Sequence, residues 1–304
     1  MSAELETRVL KAVSRSFYLS LRLLPAPMRR GAAVGYLLAR ASDTIADSAT
    51  VSAARRIALL DEFSRQIRGE MEASPWPEDL IAGLRDEGEA ELLRQHADVM
   101  EALFSLDEGE ADLVREVVGI IIGGQKLDLE RFGNASAERV VALPDEAALN
   151  DYTWRVAGCV GVFWTKLGYL TMSEGFSRQP QEELLAHAVE YGKGLQLVNI
   201  LRDLPKDLRN RRCYLPVNEP GDRAELMKEF ERWREVAQGK INHGFAYSEK
   251  LRGKRLRLSS KLPAMIAQET LQGLEGISFE KLEEGYKVPR KRVYLMILGG
   301  FLSA

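Results

Sequence analysis

Along nearly the whole chain, apolar residues return at the three- and four-residue spacing of one helix face, and strict alternation over a strand's length is hard to find. The pattern predicts helices, divided where prolines fall. Pro25 and Pro27, Pro75 and Pro77, and the stretch from Pro216 to Asp222 mark breaks. Pro144-Asp145-Glu146 reads as a helix start, and Pro263 as the opening or a bend of a late helix. Residues 117–122 are rich enough in Val and Ile for a strand, but their continuation through Gly123, Gly124 and Gln125 to Asp128 favours a buried helix. No linker long enough to divide the chain and no fixed-period repeat is present. The expectation is one all-α domain over residues 1–304.

Two of the predicted helices carry more than a core face. In residues 36–47, Tyr36, Arg40, Asp43 and Asp47 fall within about 40° of one another on a helical wheel. Val34, Leu37, Leu38, Ala41 and Ile45 gather on the other side. An ordinary solvated face would carry Lys and Glu, and this stripe has neither. Its two aspartates stand at i and i+4, where like charges repel. A shared cation would relieve that repulsion, and carboxylate oxygen suits Mg²⁺.

Residues 196–207 repeat the logic. Gln196, Asn199, Asp203 and Asp207 lie within about 80° of arc. Leu197, Val198, Ile200, Leu201 and Leu204 point elsewhere, while Arg202 and Lys206 flank the polar row as candidate partners for phosphate oxygens. Pro205 falls inside this run and predicts a kink or an end before Asp207.

Composition narrows the classes. Hydrophobic residues make up 45% and charged residues 29%, and the net charge of -3 gives no basic field for nucleic acid. The two cysteines, Cys159 and Cys213, make neither a disulfide framework nor a zinc site. The three histidines lie far apart in the sequence without ligand spacing. The N-terminal residues do not read as a secretory signal, and no apolar run reaches the roughly 20 residues needed to span a bilayer. A cytoplasmic protein is expected, with at most peripheral membrane contact.

Six segments in order resemble the squalene/phytoene synthase family: SRSF (residues 14–17), YLLARASDTIAD (36–47), KLDL (126–129), YTWRVAGCVG (152–161), QLVNILRDLPKD (196–207) and RCYLP (212–216). The resemblance implies a single-domain isoprenoid-synthase helical bundle whose two aspartate-rich helices border a central cavity. It implies that Asp43, Asp47, Asn199, Asp203 and Asp207 hold Mg²⁺, and that Arg40, Arg202 and Arg212 hold diphosphate oxygens. Ser14, Phe17 and Tyr36 would line the substrate entrance, with Gln196 and Tyr214 also against substrate. Tyr152 matches the family's active-site tyrosine. On the residues alone, Tyr152, Val156, Cys159 and Phe163 form one helical stripe, and Ala157, Gly158 and Gly161 are small enough for close helix approach.

The implied reaction joins two farnesyl diphosphates head to head through a cyclopropylcarbinyl diphosphate, with Tyr152, Arg40 and Tyr36 at the reacting groups. The DTIAD form of the first motif favours squalene, with NADPH as reductant. Residues 286–298 resemble a basic stretch near the reductant side, and read equally well as a solvated basic helix start. No glycine-rich dinucleotide fingerprint is present, so NADPH follows from resemblance alone. Ser42 stands where many phytoene-type members carry a second aspartate. Phytoene or dehydrosqualene synthesis without reductant is the alternative within the family, and a non-catalytic prenyl-lipid-binding helical protein the alternative outside it.

Overall fold

The structure is a computed structural model that describes residues 8–14, 17–133 and 139–303. The described chain is built almost entirely of helices and forms two compact units. One unit comprises Met1–Arg131 with Lys166–Ser173, the other Phe132–Thr165 with Glu174–Ala304. The expected all-α architecture is the one found.

The first unit contains α1 (Leu10–Ser14), α2 (Phe17–Leu23), α3 (Ala26–Asp47), α4 (Ala53–Ile67), α5 (Glu78–Ala82), α6 (Glu87–Arg94), α7 (His96–Phe104) and α8 (Glu108–Arg131). Helix α3 starts at the proline pair, with Pro25 at its N-cap and Pro27 in the first turn, where the missing N–H costs nothing. Ser52 caps α4 through the Arg55 amide, and Asp86 caps α6 through those of Gly88 and Glu89. Helices α3, α4 and α8 pack together around Val34, Leu37, Leu38, Ile45, Leu59, Leu60, Phe63, Val114, Val118 and Ile121, all buried. Residues 117–122 are helical, as the sequence favoured.

The second unit contains β1 (Val141–Ala142), α9 (Glu146–Thr153), α10 (Cys159–Met172, of which residues 159–165 count here), α11 (Gln181–Arg209), β2 (Arg212–Cys213), α12 (Arg223–Lys250), α13 (Lys254–Leu274), α14 (Phe279–Glu283) and α15 (Arg290–Ser303). Asp145 caps α9 and Asp222 caps α12, so the predicted helix start and the predicted loop both end in working caps. Helix α11 packs on α12 and α13 and presents Leu197, Val198, Ile200, Leu201 and Leu204 to a continuous core.

Three sequence expectations are narrowed here. Pro205 does not end α11, which runs on to Arg209. Its ring deprives the Leu201 carbonyl of a helical partner and crowds it, and burial of Leu204, Pro205 and Leu208 on the core holds the last turns in place. Pro263 does not open α13, which begins nine residues earlier at Lys254. In the turn that this proline disturbs, the buried Tyr191 hydroxyl of α11 donates to the Ser260 carbonyl at 2.9 Å. Thirdly, a π-helical turn, Trp154–Gly158, joins α9 to α10. The extra residue rotates Tyr152 out of the regular stripe that links it to Cys159 and Phe163.

The expected close approach of small residues is present. A Cβ on Gly161 would lie 2.2 Å from the Ala188 carbonyl oxygen, and one on Gly192 would lie 2.3 Å from that of Ala157. Backbone therefore meets backbone where α11 crosses the π-turn and the start of α10.

Candidate active site

The first group of site residues lies on α3. Tyr36, Arg40, Asp43 and Asp47 form a half-buried to exposed stripe, and Leu37, Leu38, Ala41 and Ile45 on the other side are buried. The Tyr36 hydroxyl donates to the Val13 carbonyl at 3.0 Å, tying α3 to the end of α1. Next in that turn is buried Ser14, whose hydroxyl donates to the Leu10 carbonyl. Arg15, Ser16 and the Phe17 side chain lie outside the described residues.

Arg40 is paired with Glu89 of α6. Burial works against its charge, but Glu89, Asp43, Tyr36 and Asp47 together more than offset this and raise its pKa. Asp43 accepts from Gln125 Nε2 of α8 at 2.6 Å, and the same nitrogen reaches Ser42 Oγ at 3.0 Å. Asp43 keeps part of its surface exposed, yet protein surrounds its carboxyl. Desolvation, and then the neighbouring Asp47, push its pKa up to about 7 against the pull of Arg40 and Gln125. A carboxyl held in this state gains from a divalent cation placed against it and Asp47, so the donor set fits Mg²⁺.

The second group lies at the C-terminal half of α11 and on the segment after it. Asn199, Asp203 and Asp207 follow one another at four-residue steps on the α11 face turned away from the core. Arg202 clamps the Asp203 carboxylate with two bonds, Nε–Oδ1 at 2.9 Å and Nη2–Oδ2 at 2.6 Å. That bidentate bond leads the causes that raise the Arg202 pKa, ahead of opposing burial.

At the end of α11 the chain reverses through Arg211, at φ 63°. This left-handed residue feeds the two-residue parallel ladder in which Val141 faces Arg212 and Ala142 faces Cys213. The reversal brings Tyr214 back onto Tyr152, with ring centroids 4.5 Å apart and planes 22° apart. Phe132 meets Tyr214 edge-on at 5.3 Å, and the Arg212 guanidinium lies 5.8 Å from the Phe132 centroid. Gln196 Nε2 stands 3.5 Å from the Tyr152 hydroxyl, and Asn199 Nδ2 stands 3.5 Å from Gln196 Oε1. Aromatic faces, an arginine and an acid–amide row are thus assembled on one unit.

Sequence reasoning missed several partners. Gln125, Glu89 and Phe132 carry no motif signal, because each matters only through the residue it touches. Of the matched KLDL segment, Lys126 is tied to Asp61 of α4 rather than to an acidic row. His187 and His243, far apart in sequence, come together with their Nδ1 atoms 3.0 Å apart, and so satisfy each other across α11 and α12. No group of three or more His, Cys, Asp or Glu side chains converges on one point among the described residues. An ion on either acidic row would draw its remaining ligands from water and substrate phosphate, as Mg²⁺ commonly does.

An all-α fold with two oxygen-donor rows, each beside an arginine, matches the class of helical prenyltransferases. Within that class the chain belongs to the squalene/phytoene synthase family, whose profile matches residues 10–295. It is 28% identical over 305 residues to a presqualene diphosphate synthase of Zymomonas mobilis subsp. mobilis, covering 96% of this chain and 88% of that protein. A presqualene diphosphate synthase of Rhodopseudomonas palustris is 31% identical over 207 residues, covering 67% of this chain and 59% of the other. The squalene synthase structure TcSQS, solved with a ligand, superposes with a TM-score of 0.79 at 22% identity, covering 99% of this chain and 87% of that one. The chain is therefore a prenyltransferase of the family that condenses prenyl diphosphates head to head.

Proposed function

We propose that the chain condenses two farnesyl diphosphates to presqualene diphosphate. The observation that carries this reading is the pair of oxygen-donor rows, Asp43/Asp47 on α3 and Asn199/Asp203/Asp207 on α11, each beside an arginine. The relatives named presqualene diphosphate synthase support the choice of product.

Asp43, Asp47, Asn199, Asp203 and Asp207 would hold Mg²⁺, and Arg40, Arg202 and Arg212 would meet diphosphate oxygens. Bound Mg²⁺ supplies neutralisation of the charge that develops on the departing diphosphate. The C1–O bond of one substrate breaks, and its electron pair leaves with the diphosphate. The C2–C3 double bond of the other substrate attacks that C1. Loss of a proton then closes the three-membered ring, leaving presqualene diphosphate, inorganic diphosphate and a proton. The stacked Tyr152 and Tyr214 rings would offer aromatic faces to the allylic cation, and the Tyr152 hydroxyl would assist proton loss. Ser14, Phe17, Tyr36 and Gln196 would shape the substrate surface.

Continuation to squalene with NADPH is the second reading, favoured by the DTIAD form of the first motif. A nicotinamide reductant rests on that resemblance alone. The sequence lacks a dinucleotide fingerprint, and Arg292 of the late basic stretch is paired with Glu269. Dehydrosqualene or phytoene is the corresponding reductant-free product.

The test is product formation by Asp43→Ala and Asp203→Ala variants with farnesyl diphosphate and Mg²⁺. Loss of an electrostatic contribution of this kind lowers turnover by roughly 10²-fold or more. Turnover equal to that of the unmodified chain in both variants would remove the metal-assisted reaction.

A further inference from the structure

The last helix, α15, combines a packed face with an exposed one, and Leu295 at the border also lines a groove against α13 with Arg292 and Met296. Helix α15 packs on α13, and two contacts fasten this segment to it. Arg292 donates to Glu269 at 2.9 Å, and the Tyr286 ring lies so close to Gly273 that a Cβ there would sit 2.0 Å from its Cζ. Val293, Met296 and Ile297 are partly buried. Tyr294, Leu295 and Leu298 are 58%, 52% and 61% exposed. At about 100° per residue these three and Lys291 fall within one arc of about 100°, with Val293, Met296 and Ile297 opposite. The exposed stripe is therefore built by the helical period, and three large apolar side chains occupy it.

The charge of this face selects its occupant. Helix α15 has no acidic residue. Lys291 lies on the apolar stripe at its N-terminal end, and exposed Lys287 precedes it; neither has a partner among the described contacts. Isologous pairing with a second copy would set Lys291 against the partner's apolar stripe or its own symmetry mate, at a desolvation cost. A bilayer surface removes that conflict. The apolar rings and chains enter the acyl boundary while the lysine stems extend to the headgroup phosphates.

We propose that α15 docks the protein peripherally on an anionic bilayer surface through Tyr294, Leu295 and Leu298, with Lys287 and Lys291 at the lipid phosphates. No described helix is long and apolar enough to cross a membrane, so the docking is one-sided. The proposal stands on this face alone and not on the reaction proposed above.

The experiment is co-sedimentation of the full chain with vesicles of phosphatidylcholine alone and of phosphatidylcholine mixed with phosphatidylglycerol. The chain is expected to bind the anionic vesicles, and to bind them less as salt is raised. A Lys287→Gln/Lys291→Gln variant should bind roughly tenfold more weakly and lose the preference for anionic lipid. A Leu295→Ser/Leu298→Ser variant should stay in the supernatant with its circular dichroism and melting unchanged. If the serine variant fails to fold, the glutamine variant, altered only at exposed charges, decides. An unmodified chain that stays in solution, or variants that sediment as it does, would overturn the proposal. So would a concentration-dependent dimer that Leu298→Ser abolishes and vesicles do not affect, since this would give the face to a second copy. Product formation from detergent-dispersed substrate is read separately, so failure of docking and failure of the proposed reaction are distinguishable.

Discussion

Gln125 donates from one nitrogen to Asp43 Oδ1 at 2.6 Å and to Ser42 Oγ at 3.0 Å, joining α8 to the acidic stripe of α3. Ser42 itself is buried and donates to the Ala39 carbonyl at 2.8 Å. Where many phytoene-type sequences carry a second aspartate, this chain places a hydroxyl that fixes a neighbouring amide. Gln125→Leu removes the donor that favours ionised Asp43. Its predicted effect is a tenfold or greater loss of apparent Mg²⁺ affinity, about 1.4 kcal/mol, with little change in melting temperature. Titration of the unliganded protein with Mg²⁺, followed by thermal shift, checks it.

Tyr152 and Tyr214 stack at 4.5 Å on the second unit. Tyr152→Phe keeps the stack and removes the hydroxyl, so it should lower kcat by roughly 10²-fold with KM nearly unchanged. Tyr214→Ala removes the stacking partner and should impair both kcat and folding, by about 3 kcal/mol for a buried aromatic. Steady-state kinetics and urea melts separate the two. Equal kcat losses without a stability difference would contradict this assignment.

His96 supplies the pH dependence. It is buried against Phe63 and Trp76, and its Nε2 lies 2.6 Å from Gln66 Oε1. Gln66 Nε2 points to Ser74 and Glu62, so its oxygen accepts and His96 Nε2 carries the proton. Desolvation pushes the His96 pKa from 6.5 down to about 4. The unfolded chain then binds more protons between those values. The stability His96 contributes is present above pH 6.5 and lost as pH falls toward 4. Against the unmodified chain, His96→Phe should flatten this acid limb, while costing about 1–3 kcal/mol at pH 8 because Gln66 Oε1 loses its donor. Urea unfolding at several pH values measures both effects.

Gly161→Val tests the close helix crossing. Its Cβ would overlap the Ala188 carbonyl, which is backbone and cannot rotate away. Destabilisation of about 3 kcal/mol is expected from overpacking of this kind, read from the shift in urea midpoint.

Helical periodicity alone carried much of this architecture. The apolar sides of residues 34–45 and 197–204 are the buried sides of α3 and α11, because a 3.6-residue period leaves little choice about which face meets the core. The i, i+4 spacing of Asp43 with Asp47 and of Asp203 with Asp207 was equally legible. Less legible was anything set by tertiary contact. Burial, not sequence, lets α11 pass through Pro205. The π-turn before Cys159 breaks a wheel drawn at a constant angle. Gln125 and Phe132 act through partners 82 residues away in each case, at Asp43 and Tyr214, which no local pattern reports.

The central claim is the condensation itself. The most direct measurement is incubation of the purified chain with farnesyl diphosphate and Mg²⁺, without NADPH, followed by mass analysis of the phosphorylated and extracted lipids. The account predicts presqualene diphosphate together with released inorganic diphosphate, neither formed by Asp43→Ala or Asp203→Ala. Intact farnesyl diphosphate recovered with a folded, Mg²⁺-loaded protein would contradict it.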